Sequence, residues 1–195
     1  MQMQPQRKVV VYGASGCGKT SLMRRWSNNE FSENETPTIG VNVHIRNDAQ
    51  VWDAAGAERF HDLALTYLAG AQAVIFMYNV ASKTSFNELV EFWIPRVLAA
   101  SVGLDYYLVG TQLDREEQQR EVAVEDGVAL AARYDMHYGE CSAKTGQSLD
   151  HLRLFIEHDT GNRGDATLVV LEPFETKKTR RCCRLFSGRT YSVLP

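Results

Sequence analysis

The rhythm of apolar and polar residues changes repeatedly along this chain, and each change predicts an element. Residues 8–12 form a continuous apolar run that predicts a buried strand, and residues 19–28 place Leu22, Met23 and Trp26 on one face of a helix. A polar loop, 29–37, follows. Val41, Val43 and Ile45 then alternate with Asn42, His44 and Arg46, the period-two pattern of a half-buried strand with its apolar side turned to the core. Residues 49–52 predict a second short strand. Two average strands and a turn need about 13 to 17 residues. Residues 41–51 alone separate Gly40 from Trp52, so the expected hairpin is stunted, with its turn near Asn47 and Asp48.

Residues 73–80 are apolar throughout, as in a central parallel strand covered on both faces. A helix over 85–100 keeps Phe86, Leu89, Val90, Trp93 and Val97 on its inner side. A kink is expected at Pro95, because proline in a helix interior costs about 3 kcal/mol. A strand over 106–110, a charged loop over 114–121, a helix over 124–134 and a strand over 136–140 follow. The last helix is expected to start at Ser148 as its N-cap and to carry Leu149, Leu152, Phe155 and Ile156. This alternation predicts an α/β fold in three layers: a mostly parallel sheet with helices on both faces, and a ligand beyond the carboxyl ends of the strands.

After Asp159 the pattern dissolves. The expected organisation is a short tail, 1–7, one folded domain, 8–159, and a second tail, 160–195, largely disordered and basic. In that tail 161–164 reads as a linker and 167–171 as one extra strand or an extended packed segment. Lys177, Lys178, Arg180, Arg181, Arg184 and Arg189 fall within 176–190 without an acid among them. Such a run is either simply solvated or turned to an anionic surface.

Composition narrows the class. The net charge of -3 argues against a nucleic-acid partner, and 44% apolar residues with 23% charged ones are ordinary for a soluble domain. The first residues are polar and lack the apolar run of a leader peptide, and cysteines 17, 141, 182 and 183 have no metal-binding spacing, so a reduced, cytoplasmic setting is expected. Histidines 44, 61, 137, 151 and 158 share no face with carboxylates or cysteines and are assigned no metal.

Candidate chemistry begins at Gly13-Ala14-Ser15-Gly16-Cys17-Gly18-Lys19-Thr20, which fits G-x-x-x-x-G-K-[ST] between a predicted strand and a predicted helix. Glycines there let successive N–H groups turn inward around a phosphate, and the helix start adds a positive dipole end. Lys19 is expected to reach the terminal phosphates and Thr20 to ligate Mg²⁺. Cys17, at a helix N-terminus, reads either as a thiol of lowered pKa with a redox role or as a small filler.

With that loop placed, four later stretches fall at the spacing of the Ras-like small GTPases, and residues 7–158 resemble that family. Thr38-Ile39-Gly40 resembles the first switch, and Phe31 the aromatic beside the guanine edge. Trp52-Asp53-Ala54-Ala55-Gly56 resembles the D-x-x-G of the second switch. Thr111-Gln112-Leu113-Asp114 and Cys141-Ser142-Ala143-Lys144 resemble the base-recognition motifs, with Thr111 and Gln112 in place of the usual Asn and Lys. The resemblance implies a P-loop GTPase domain that binds GTP or GDP with Mg²⁺. Nucleotide contacts would come from Gly13, Ser15, Gly16, Cys17, Gly18, Lys19, Thr20, Ser21, Phe31, Thr38, Gly56, Thr111, Gln112, Asp114, Ser142, Ala143 and Lys144. Thr20 and Thr38 would hold the metal directly and Asp53 through water. Asp114 can accept from N1–H and the exocyclic amine of guanine, a pair adenine does not offer.

Ser15, Thr38-Ile39-Gly40-Val41, Glu58-Arg59-Phe60 and Tyr67-Leu68-Ala69-Gly70-Ala71 look like the Rab branch, whereas Trp93-Ile94-Pro95 and Gly110-Thr111-Gln112 look more like Rho. The segment between the switches is shorter than in Rab-like chains. The implied activity is that of a molecular switch whose catalytic positions are Lys19, Thr38, Gly56 and Ala57. Alanine stands at 57 where the family usually has a water-orienting glutamine, so hydrolysis is expected to be slow. A non-hydrolysing nucleotide-binding scaffold is the alternative. A P-loop kinase or ATPase would need a phosphate acceptor site and would not need Asp114. Implied partners are effectors at the switch regions, an exchange factor and a GTPase-activating protein. Cys182-Cys183 resembles the prenylated pair of Rab-like chains and would give peripheral contact with the cytosolic face of a membrane, but residues 184–195 follow it without a C-a-a-X ending.

Overall fold

The computed structural model describes residues 7–157 apart from 102 and 116. Residues 1–6, the linker 161–164, the stretch 167–171, the basic run 176–190 and the Cys182-Cys183 pair lie outside the described residues.

The two most apolar runs of the chain become the centre of the sheet. In β1 (Arg7–Tyr12) and β4 (Ala73–Asn79), paired in parallel with Val9 opposite Ala73 and Tyr12 opposite Phe76, alternate side chains enter opposite cores. Val10, Tyr12, Val74, Phe76 and Tyr78 join one core; Val9, Val11, Ala73, Ile75 and Met77 join the other. The second core is closed by Leu22, Met23 and Trp26 of α1 (Lys19–Asn28) and by Leu152, Phe155 and Ile156 of α6 (Asp150–Glu157). The first is closed from the opposite side by α2 (His61–Thr66), α3 (Lys83–Glu88), α4 (Ile94–Ala100) and α5 (Val124–Arg133). With β2 (Val41–Arg46), β3 (Ala49–Ala54), β5 (Asp105–Thr111) and β6 (His137–Glu140), the strand order is β2-β3-β1-β4-β5-β6. Every pairing is parallel except β2 with β3. The expected three layers are therefore present.

Six local expectations are corrected. The hairpin is not stunted, because β3 runs past Trp52 to Ala54, so both strands have 6 residues, and the turn closes with only Asn47 and Asp48 between the paired Arg46 and Ala49. Asn47 adopts φ 51°, a left-handed conformation that asparagine tolerates. β2 is also turned over: Val43 and Ile45 are 45% and 59% exposed, whereas His44 and Arg46 point inward. Arg46 donates to the Trp26 carbonyl at 2.5 Å and meets Glu157 at 3.5 Å.

The long helix begins at Lys83, capped by the Ser82 hydroxyl accepting from the Ser85 N–H. Pro95 is accommodated by a π turn over Leu89–Trp93, which places the proline in the first turn of α4, where an N–H is least needed. Ser148 is not the N-cap of α6. It takes φ 58°, and the Leu149 carbonyl accepts the first helical bond, from Arg153. Finally, a 3-10 turn over Glu58–Phe60 and α2 occupy a stretch for which no element was expected. α2 is held by His61, whose ring centroid lies 4.1 Å from that of Phe92 and 4.6 Å from that of Trp93, and by the buried Ala64, whose carbonyl accepts from the Tyr12 hydroxyl at 2.9 Å.

Gly127 in α5 lies against the ring of Tyr138: a Cβ there would come 2.5 Å from its Cε2 and 2.6 Å from the Tyr78 hydroxyl. Gly127→Ala gains about 1 kcal/mol of helix propensity, but overpacking costs about 1 to 3 kcal/mol. We expect net destabilisation, seen in calorimetry as a midpoint lowered by about 2 to 8 °C. A raised midpoint would show that the Tyr78-Tyr138 pair yields freely.

Candidate nucleotide-binding site

At the carboxyl ends of β1, β3, β5 and β6 the connecting loops, with the segment 31–38 that leads into β2, enclose a cavity of about 730 Å³, within the size range of small-molecule sites. The loop after β1 forms its floor. Gly13, Gly16 and Gly18 take φ values of 154°, 75° and 91°. At Gly13 the need is also steric, because a Cβ would run into the Met77 carbonyl. Among the described residues the N–H groups of Ser15, Gly16 and Gly18 find no protein acceptor, as an oxyanion cradle requires.

Lys19 is 6% exposed, and its ammonium donates to the Gly13 and Ala14 carbonyls, both at 2.7 Å. Gly56 presses against it: a Cβ there would stand 2.5 Å from Lys19 Nζ and 2.6 Å from the Gly13 carbonyl oxygen.

The three residues expected at the metal converge. Thr20 donates to Asp53 Oδ2 at 2.6 Å and meets the Thr38 hydroxyl at 2.9 Å. Asp53 is fully buried, and burial raises its carboxyl pKa above the usual range. Its second oxygen, Oδ1, has no hydrogen-bond partner. A buried acceptor left open beside two hydroxyls fits a hydrated divalent cation. His44 stands 4.0 Å from Asp53 Oδ2, and burial lowers its pKa, which favours the neutral ring.

The base end is stitched from two loops. Cys141 N–H donates to the Gly110 carbonyl and Leu113 N–H to the Cys141 carbonyl. Ser142 Oγ, fully buried, donates to Asp114 at 2.5 Å, and the Asp114 side chain stands exposed at the cavity. The Thr111 hydroxyl lies 2.5 Å from the Cys17 carbonyl and 2.9 Å from that of Tyr78, which ties this end to the phosphate loop. Gln112 reaches that position with φ 63° and accepts from Arg115. Neither Ala143 nor Lys144 spends its N–H on a protein acceptor among the described residues. Two adjacent open donors at the cavity fit a carbonyl oxygen of a base.

Of the expected contact residues, Ser15, Gly16, Gly18, Lys19, Thr20, Ser21, Phe31, Thr38, Gly56, Thr111, Gln112, Asp114, Ala143 and Lys144 line the cavity, as does Ala57. Gly13, Cys17, Asp53 and Ser142 do not; they support its wall from beneath. For Cys17 this decides against a low-pKa thiol, since burial pushes the group up and leaves it as filler. Sequence reasoning missed Glu33 and Glu35, which also line the cavity and are paired with Lys144 at 2.7 Å and Arg24 at 3.1 Å. Nothing in the polar loop that carries them distinguishes an acid that closes over a site from one that is merely solvated.

A sequence model of the Ras family matches residues 8–158. Similar proteins include the Ras-related protein RABE1e of Arabidopsis thaliana, 33% identical over 183 residues that cover 89% of this chain and 84% of that one. The Ras-related protein Rab-1 of Theileria parva is 35% identical over 152 residues, 73% of this chain and 69% of its own. The Ras-related protein Rab-13 of Canis lupus familiaris is 31% identical over 193 residues, 90% and 94% of the two chains.

Gly56→Ala cannot be absorbed without moving either the ammonium or the loop backbone. Equilibrium titration is expected to show affinity for a nucleoside triphosphate lowered at least tenfold, about 1.4 kcal/mol, with a smaller loss for the diphosphate. Equal affinity for the wild type and the variant would place the lysine elsewhere in the loaded state.

Proposed function

The chain belongs to the Ras family, in its Rab branch, and we propose that it is a GTP-binding switch of slow intrinsic hydrolysis that reports its nucleotide state to effector proteins. The observation that carries this reading is the convergence, on one cavity, of the open N–H groups of the phosphate loop, the Thr20-Thr38-Asp53 cluster and the two open donors of Ala143 and Lys144 beside Asp114. Mg²⁺, held by Thr20 and Thr38 with Asp53 behind a water, would offset charge on the phosphates. Lys19 would hold the terminal phosphate and Gly56 would meet it through its N–H. A readable surface lies beside the switches: Ile39, Val43 and Ile45 are exposed, and Trp52 and Tyr67 stand next to them with ring centroids 5.8 Å apart.

Guanine follows from Asp114, which would be left badly paired against adenine. In competition assays GTP is expected to displace bound nucleotide at far lower concentration than ATP. Asp114→Asn should move the preference toward xanthine nucleotides, whose carbonyl complements an amide donor. Comparable displacement by GTP and ATP would sink the assignment.

Slow turnover follows from Ala57, which lines the cavity with a methyl group that can neither donate nor accept. Glu58 and His61, the polar neighbours in the same segment, do not line it, and His61 is held between Phe92 and Trp93. Loss of one positioned polar participant commonly costs about 10² to 10⁴ in rate. Turnover would then need an activator that supplies the group in trans; without one the protein would remain loaded, as the scaffold alternative holds. Single-turnover hydrolysis is expected to be faster in Ala57→Gln than in the wild type. Equal rates would move the water-orienting role to another residue.

A further inference from the structure

Arg25, one turn before the end of α1, spends its whole side chain on neutral acceptors. Its Nε donates to the Ala143 carbonyl at 2.7 Å and one terminal nitrogen to the Lys144 carbonyl at 3.0 Å. The other terminal nitrogen donates to the Asn29 carbonyl at 2.8 Å and lies 3.3 Å from Asn29 Oδ1. Capping α1 would require only the last of these. The first two reach 118 and 119 residues along the chain, to the loop whose free N–H groups face the cavity.

In a trans peptide the N–H points opposite to the C=O of the same unit. Holding the Ala143 carbonyl against α1 therefore turns the Lys144 N–H the other way. The preceding unit is held in turn by Gly146, whose N–H donates to the Ser142 carbonyl at 2.9 Å and so orients the Ala143 N–H. Both open donors are thus aimed by bonds made on their far sides, and Arg25 makes the one that comes from the phosphate helix. A guanidinium suits this because its rigid fork serves several carbonyls at once.

We infer that Arg25 is a positioning residue that sets discrimination at position 6 of the purine by locking the 143–144 peptide to α1. The inference rests on the guanine reading, with O6 as the acceptor for these N–H groups. Two analogues separate the ends of the base. 6-Thioguanosine triphosphate keeps N1–H and the 2-amino group but replaces O6 with sulfur, a weaker acceptor, and inosine triphosphate keeps O6 and N1–H but lacks the 2-amino group that Asp114 would bind.

The full chain is compared with Arg25→Gln and Arg25→Lys by release of fluorescent GDP and by competition with GTP, ATP and the two analogues. Arg25→Gln is expected to release GDP about tenfold faster. Its preference for GTP over the thioguanine nucleotide should fall toward one, while its preference for GTP over inosine triphosphate stays as in the wild type. Arg25→Lys, with a single-headed ammonium, should fall between, and it supplies the same ratios if Arg25→Gln does not fold. Unchanged ratios in the variants, or both ratios falling together as in general loosening, overturn the inference. A wild type that does not prefer GTP to ATP overturns instead the guanine reading beneath it.

Discussion

A lysine ammonium that is 6% exposed and makes no salt bridge among the described residues is the costly element around which this domain is built. Taking such a charge out of water is expensive unless its protons are fully engaged. Here the Gly13 and Ala14 carbonyls engage it, and they hold that position only because the loop bends through three left-handed or extended glycines. The loop in turn depends on β1 being buried on both faces, since a strand free to shift would carry Gly13 away from the Met77 carbonyl it touches. Sheet centre, loop and cation form one dependency, and an anion entering the cavity completes the charge balance that the protein alone leaves open.

The base end depends on the phosphate end through the Thr111 hydroxyl, shared between the Cys17 and Tyr78 carbonyls. Behind it a second polar chain stiffens the wall. The Tyr78 and Tyr138 hydroxyls meet at 3.1 Å, Tyr138 donates to Glu140 at 2.8 Å, and Arg120 grips both oxygens of Glu140 at 2.9 and 2.6 Å. Arg120 closes the segment that begins at Gln112, and Glu140 immediately precedes Cys141. One bidentate pair therefore ties the end of the first base loop to the start of the second, the kind of contact that fixes geometry as well as energy. Burial raises the pKa of both tyrosines, so the hydroxyls keep their protons for this network.

Local pattern carried far toward the fold. The runs around Val10 and Ile75 read as central strands, and the spacing of Leu22, Met23 and Trp26 as a helix face, because burial on both sides or on one side leaves a trace in residue type. Alternation in β2 was equally visible, yet its direction was misread. Period two says which residues share a face, not which face is covered, and the decision fell to Arg46 reaching the Trp26 carbonyl and to His44 lying beside Asp53. α2 left too weak a trace, since it is short and is fastened by His61 against Phe92 and Trp93 and by Ala64, whose carbonyl accepts from the Tyr12 hydroxyl. Motif residues with backbone roles were legible from glycine spacing. Glu33, Glu35 and Arg25 were not, for their partners lie on other elements and no periodicity links them.

The overturned strand has a consequence for the protein in concentrated solution. Among the described residues β2 is the last strand of the sheet on its side, so its outer backbone groups have no neighbouring strand there, and the side chains flanking them, Val43 and Ile45, are apolar and 45% and 59% exposed. Natural edges are usually defended by lysine, proline or a bulge. In β2 the one charged residue, Arg46, is spent inward, so among the described residues that defence is missing where another copy could add as a seventh strand. The stretch that makes the surface readable is thus also the one that leaves this edge open to a further strand.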